Sequence, residues 1–146
     1  MDFSLSPEQK MIKDAVRKFA AEKILPNSRQ WEHDTKFPRD LLYEMGELGY
    51  LGVPIPEEYG GTGLDYISEA IVFEEVGYAD SSVRTTLSVQ MSLVELTILK
   101  WGTEEHKKTY LPKLCSGEWI GCFGLTEPNA GSDAGNIATT DRKSVV

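Results

Sequence analysis

The sequence predicts an all-α fold, a bundle of five or six helices, with the first strand and loop of a β unit at its end. Three observations carry that expectation. Apolar residues recur at helical spacing through most of the chain as far as Cys115. Start and stop signals punctuate the pattern: Ser6-Pro7 before one apolar series, Pro38 and Gly49 around a second, Thr103 before a last. Beyond Gly117 the character changes to a short aromatic and apolar run, WIGCFGLT, which reads as a strand. With 146 residues, 40% of them hydrophobic, the chain can enclose one substantial core.

Ser6 is a fitting N-cap, Pro7 suits the first helical position, and Gln9 completes a capping box. Ile12, Val16, Phe19 and Ile24 then mark the inner face, and Pro26 closes the helix. A second helix is expected over Arg39 to Leu48, striped by Leu41, Leu42, Met45 and Leu48 and ended by Gly49. LGVPIPEEYGGTGLD, rich in glycine and proline, reads as a long shaped loop. Tyr66 to Gly77 is the next helix, with Ile67, Ala70, Ile71, Phe73 and Val76 inside. Ser81 or Ser82 can cap a helix reaching about Trp101; its middle, TTLSVQMSLVELTIL, holds one charge, Glu95, and suits burial on most sides. Thr103 caps the last helix, with Glu104 and Glu105 at its positive end and Pro112 near its close.

A formal net charge of −8, with 15 Lys and Arg scattered among 23 Asp and Glu, argues against nucleic acid or an anionic membrane as partner. Cys115 and Cys122 have no zinc spacing and read as small buried hydrophobes in a reducing compartment. His33 and His106 lie in charged stretches, so no metal site is expected. The start MDFSLSPEQK lacks the pattern of a signal peptide, and no apolar run reaches the roughly 20 residues that span a bilayer. A cytoplasmic protein is the expectation.

The stretch CFGLTEPNAGSDAG carries the chemistry. Gly131 and Gly135 permit positive φ and close approach of a ligand, and successive N–H groups in such a turn can form an anion-binding concavity. Thr126 and Ser132 add hydroxyl donors, while Glu127 and Asp133 read as acids that shape the turn. No Lys follows the glycines as in a phosphate-binding P-loop, and no GxGxxG follows a strand. On these residues alone, an ordinary surface turn and a ligand site both stand.

LTEPNAGSD, preceded by GCF, closely resembles the signature of flavin-dependent acyl-CoA dehydrogenases. PIPEEYGGTGLD, SVQMSLV and WGTEEHKKTYLPKLCSGEWIG resemble the same family in the same order, so the likeness runs from Phe3 to about Thr140. It is closest to the glutaryl-CoA and short-chain members. The resemblance implies that residues 1–117 form an N-terminal helical domain and that 118–146 begin a middle β domain, incomplete here. It implies that Phe123, Gly124, Leu125, Thr126, Glu127, Pro128, Asn129, Ala130, Gly131 and Ser132 lie along FAD, with Ser132 also reaching acyl-CoA. The implied reaction is α,β-dehydrogenation of an acyl-CoA thioester, with an electron-transferring flavoprotein as the oxidant of the flavin and a homo-oligomer as the assembly. Nothing in the chain matches the family's base, so no catalytic residue is assigned.

Arg84 precedes SVQ by the same interval as an Arg of glutaryl-CoA dehydrogenases, where it pairs with the distal carboxylate of the substrate. The resemblance makes Arg84, with Thr85 beside it, a substrate-binding candidate; a solvated Arg in a first helical turn is the plain alternative. NIATTDRKSVV departs from the longer charged hairpin of the family. The sequence therefore reads as the front part of a dehydrogenase, inactive alone, with a freestanding helical interaction module as the other reading. A small flavoprotein holding FAD with this chain only is a weaker third.

Overall fold

The computed structural model describes residues 4–140. Among them the chain forms six helical rods. The first is α1 (Pro7–Phe19), prolonged by a π-helical turn, Ala20–Ile24. α2 (Ser28–His33) and α3 (Arg39–Glu47) follow. After a loop containing the 3₁₀ turn Glu57–Tyr59 comes α4 (Tyr66–Ala79). The fifth rod is α5 (Ser81–Ser88), a π-helical stretch Val89–Glu95, and α6 (Leu96–Trp101), continuous in that order. The sixth is α7 (Glu104–Cys115).

The capping box forms as expected: Gln9 N donates to Ser6 Oγ at 3.1 Å, and Ser6 N donates back to Gln9 Oε1 at 3.0 Å. That start sets the phase which turns Val16, Phe19, Ala20 and Ile24 inward against Val72, Val76 and Ala79 of α4. Val83, Leu87 and Met91 of the fifth rod and Leu41, Leu42 and Met45 of α3 complete the main core. A smaller cluster gathers Ile55, Tyr59, Leu111 and Cys115, with Leu96, Ile98 and Leu99 against it. At the edge of the main core, both oxygens of the buried Glu75 accept from Arg17, at 2.9 Å each, which holds the carboxyl below its usual range.

Several expectations need correction. A short helix, α2, fills the stretch between Pro26 and Pro38; its N-cap Asn27 makes no side-chain capping bond. α5 is capped by Asp80 rather than Ser81 or Ser82, through bonds from Ser82 N at 2.8 Å and Val83 N at 3.0 Å. Ile67 and Ala70 lie on the exposed face of α4, whereas Ser68, Glu69 and Glu75 are buried. Leu48 is exposed, since Gly49 turns the chain away with positive φ before another apolar residue can fold under. Cys115 is buried as expected, but Cys122 is exposed.

The expected strand WIGCFGLT is absent: among the described residues no strand forms, and a single bridge joins Glu127 to Ala130. The physical reason is pairing. A strand is stabilised by ladder hydrogen bonds to a neighbour, and no described segment offers an edge to this run. Positions 141–146 of the expected β unit lie outside the described residues.

Candidate functional site

The segment after α7 is fixed at its base and open beyond it. Gly117 turns the chain with φ +75°, and a Cβ there would stand 2.8 Å from the Leu42 carbonyl oxygen. Arg39 Nη2 donates to the carbonyls of Gly117 at 3.3 Å and Glu118 at 2.8 Å. Trp119 is clasped between Tyr110, with ring centroids 5.9 Å apart, and the Lys113 ammonium, 4.3 Å from its centroid.

Gln90 completes the anchor, and the sequence reading missed it. It is buried in the π-helical stretch of the fifth rod. Its Nε2 donates to Leu114 O at 2.9 Å and Trp119 O at 3.0 Å, and its Oε1 accepts from Gly121 N at 2.8 Å. One amide thus ties the end of α7 to the root of the loop. Its signal was present in SVQMSLV: a polar residue with strong hydrogen-bonding needs inside an apolar helix must find partners. At Gly121 the rod comes so close that a Cβ would meet Val94 Cγ1 at 2.5 Å.

Past Cys122 the chain is exposed, and Ala130 is its one buried residue before Gly131. Glu127 N donates to Ala130 O at 2.8 Å and Ala130 N returns a bond to Glu127 O at 3.2 Å, closing a turn over Pro128 and Asn129. The Glu127 carboxylate accepts from Ala138 N at 2.8 Å, from Thr139 N at 2.9 Å and from the Thr139 hydroxyl, which together hold it below its usual range. Glu127 thus acts as the turn-shaping acid expected of it.

Phe123, Gly124, Leu125, Thr126, Gly131 and Ser132 form no main-chain hydrogen bond among the described residues, and neither Thr126 nor Ser132 commits its hydroxyl. A Cβ at Gly124 or Gly131 would meet nothing within 4 Å. The loop is therefore a row of uncommitted donors on an open surface, a donor set that fits the carbonyl and phosphate oxygens of a flavin nucleotide. Gly131 and Gly135, which permit positive φ, do not adopt it. The Glu127–Ala130 turn reverses the chain with Pro128 and Asn129, so the glycines contribute openness rather than a left-handed turn.

Arg84 sits on α5, half-buried; its main-chain N donates to Asp80 O at 3.2 Å, while its guanidinium makes no ion pair or hydrogen bond among the described residues. Its stem lies over Gly77 of α4, where a Cβ would meet Arg84 Cγ at 3.1 Å. Thr85 spends its hydroxyl on the Ser81 carbonyl at 2.8 Å. Arg84 and Gln90 share one rod, so the candidate guanidinium and the anchor of the loop are rigidly related, although no hydrogen bond joins Arg84 to the loop. No group of three or more metal-ligating side chains occurs among the described residues, and no described helix is long and apolar enough to cross a membrane.

Residues 6–118 match the sequence profile of the acyl-CoA dehydrogenase N-terminal domain. The chain belongs to the acyl-CoA dehydrogenase family. A glutaryl-CoA dehydrogenase of Desulfococcus multivorans is 44% identical over 143 residues, which cover 96% of this chain and 37% of the relative. The solved glutaryl-CoA dehydrogenase complexed with glutaryl-CoA superposes with a TM-score of 0.89 at 44% identity, over 94% of this chain and 35% of that one. The Bacillus anthracis acyl-CoA dehydrogenase complexed with FAD gives 0.83 at 40% identity, over 90% of this chain and 23% of that one. The chain thus spans about a third of the length of the curated relatives it matches.

Proposed function

We propose that this chain supplies the N-terminal helical domain of an FAD-dependent acyl-CoA dehydrogenase whose substrate carries a distal carboxylate. The observation that carries the reading is the loop Phe123–Ser132, its donors outside the Glu127–Ala130 turn uncommitted and its root tied by Gln90 to the rod that bears Arg84. Thr126, Ser132 and the main-chain N–H groups of Asn129 and Gly131 between them would hold the cofactor. FAD, when bound, supplies the two-electron acceptor for α,β-dehydrogenation of an acyl-CoA thioester. The residues of this chain bind and orient: Ser132 would reach acyl-CoA, and Arg84 would select the acyl end, with Thr85 beside it. A guanidinium without an internal partner is suited to that task, because its bidentate donors favour a carboxylate over a methyl group. The electron-transferring flavoprotein belongs to the same reading, as the acceptor of the electrons.

The test compares glutaryl-CoA with butyryl-CoA as substrates of the complete enzyme carrying this domain. The expected outcome is a preference for glutaryl-CoA that Arg84→Met reduces by about 30- to 100-fold in kcat/KM, as loss of a charge-assisted pair implies, with butyryl-CoA turnover little changed. Equal or better use of butyryl-CoA by the unaltered enzyme defeats the carboxylate role of Arg84. The exposed aromatic residues Tyr66, Tyr78 and Trp101 favour a second reading, a helical interaction module without catalysis. A flavin absorption band with dehydrogenase turnover from the 146-residue chain alone would overturn both that reading and the expectation that the chain is inactive by itself.

A further inference from the structure

Glu95 is wholly enclosed, and among the described residues neither of its carboxyl oxygens has a hydrogen-bond partner. It ends the π-helical stretch Val89–Glu95, where the fifth rod passes into α6. The titratable groups facing it come from two other elements, Glu69 of α4 and Cys115 of α7. Glu69 is itself buried and accepts one hydrogen bond, from Ser92 Oγ at 2.9 Å. Tyr59, in the same apolar cluster as Cys115, turns its hydroxyl to Glu104 at 2.8 Å. No ion pair among the described residues reaches Glu69 or Glu95. Two carboxyls therefore share an interior without a counter-charge, at the place where α7 and its small cluster meet the main bundle.

An enclosed carboxylate with neither cation nor donor is far costlier than the neutral acid, so this geometry is compatible with folding only while the proton stays. We propose that Glu95 is held as a neutral carboxylic acid and acts as an alkaline latch: while protonated it lets α7 and the Ile55–Tyr59–Leu111–Cys115 cluster close on the bundle, and its ionisation releases them. Burial first, and the charge of Glu69 second, push Glu95 up to about 9 from 4.5. The same enclosure pushes the Cys115 thiol up, with Glu95 adding to it, so no second anion forms there first.

The sign follows from proton linkage. Below 4.5 open and closed forms both hold the proton, and the closed form has its full stability from this group. Between 4.5 and about 9 only the closed form holds it, so closure weakens as pH rises and this contribution is gone above the upper value. One proton corresponds to about a tenfold rise in the opening constant per pH unit.

The test is amide hydrogen exchange of the 146-residue chain across that interval, corrected for intrinsic rates, together with carboxyl ¹³C NMR of Glu95. The expected result is that α7 amides lose protection about tenfold per pH unit while α1 stays protected, and that Glu95 titrates far above the exposed glutamates. Glu95→Gln keeps the neutral shape and abolishes the slope. Should that variant not fold, the wild-type titration and exchange decide alone. The latch is overturned by Glu95 titrating with ordinary glutamates, by α7 and α1 losing protection together, by α7 protection that ignores pH, or by a slope that persists in Glu95→Gln.

Discussion

Gln90 shows how much one side chain can decide. Its amide satisfies two carbonyls and one N–H from Leu114, Trp119 and Gly121, all drawn from segments that share no regular ladder with it. Gln90→Leu keeps the volume and apolar contact yet leaves Trp119 O and Gly121 N without partners beside a buried helix, while Leu114 O keeps its bond from Gly117 N at 3.0 Å. The expected cost is about 3 kcal/mol, the scale for stranding buried polar groups, read as a lower denaturant midpoint. Protection of the Gly121 amide should fall further than that of α1, because its acceptor is gone. An unchanged Gly121 amide would mean that Arg39 and Trp119 alone hold the root of the loop. Arg84 is the contrasting case: its guanidinium has no internal partner, so its replacement should leave the fold intact and change only what the protein binds.

At the scale of elements, the helix starts are where local chemistry speaks most plainly. Asp80 accepts from Ser82 N and Val83 N and also from Ser28 Oγ, joining the start of α5 to α2. Its partial burial raises the carboxyl, but the donors of Ser28, Ser82 and Val83 outweigh that and hold it below its usual range. Asp80→Ala should destabilise by about 1–2 kcal/mol, the scale of a lost N-cap, while Ser81→Ala should cost little. A thermal melt of the two variants separates them; equal losses would return the cap to the serines. Ser6, Thr103 and the helix from Ser81 to about Trp101 were legible because caps and apolar spacing are properties of neighbouring residues. Asp80 was passed over because Asp, Ser and Ser stand in a row and any of them can cap. The π-helical stretches at Ala20–Ile24 and Val89–Glu95 left no mark in the apolar period, being one-turn departures fixed by packing. The strand expected at WIGCFGLT failed for the opposite reason: its composition was right, but strand structure depends on a partner that no local pattern records. In the candidate site, the turn-shaping role of Glu127 and the free hydroxyls were readable, whereas the anchor through Gln90 links positions too far apart for spacing to reveal.

For the whole molecule, the apolar surface that the bundle leaves uncovered sets the behaviour in solution. Tyr66, Ala70, Glu74 and Tyr78 follow one another at four-residue steps along the outer face of α4, and Tyr66 and Tyr78 are 66% and 85% exposed. Glu74, the one charge in that row, has Lys13 Nζ 3.6 Å away, which offsets its charge where it would otherwise discourage contact. Phe123 and Leu125 on the loop and Trp101 at the end of α6 add further exposed apolar area. Burying such area is favourable for any partner of matching shape, and a second copy is always present. The chain should therefore self-associate reversibly, with a weight-average sedimentation coefficient that climbs with concentration. Sulfate should strengthen the association and sodium chloride should hardly weaken it, because the attraction is apolar and not ionic. Tyr78→Lys places a charge at the most exposed end of the row without touching the core, so it should lower the association while leaving the thermal midpoint of the dilute protein nearly unchanged. A chain that sediments as a monomer at every concentration, or a variant that associates as the parent does, would show that this face of α4 is not the one that drives assembly.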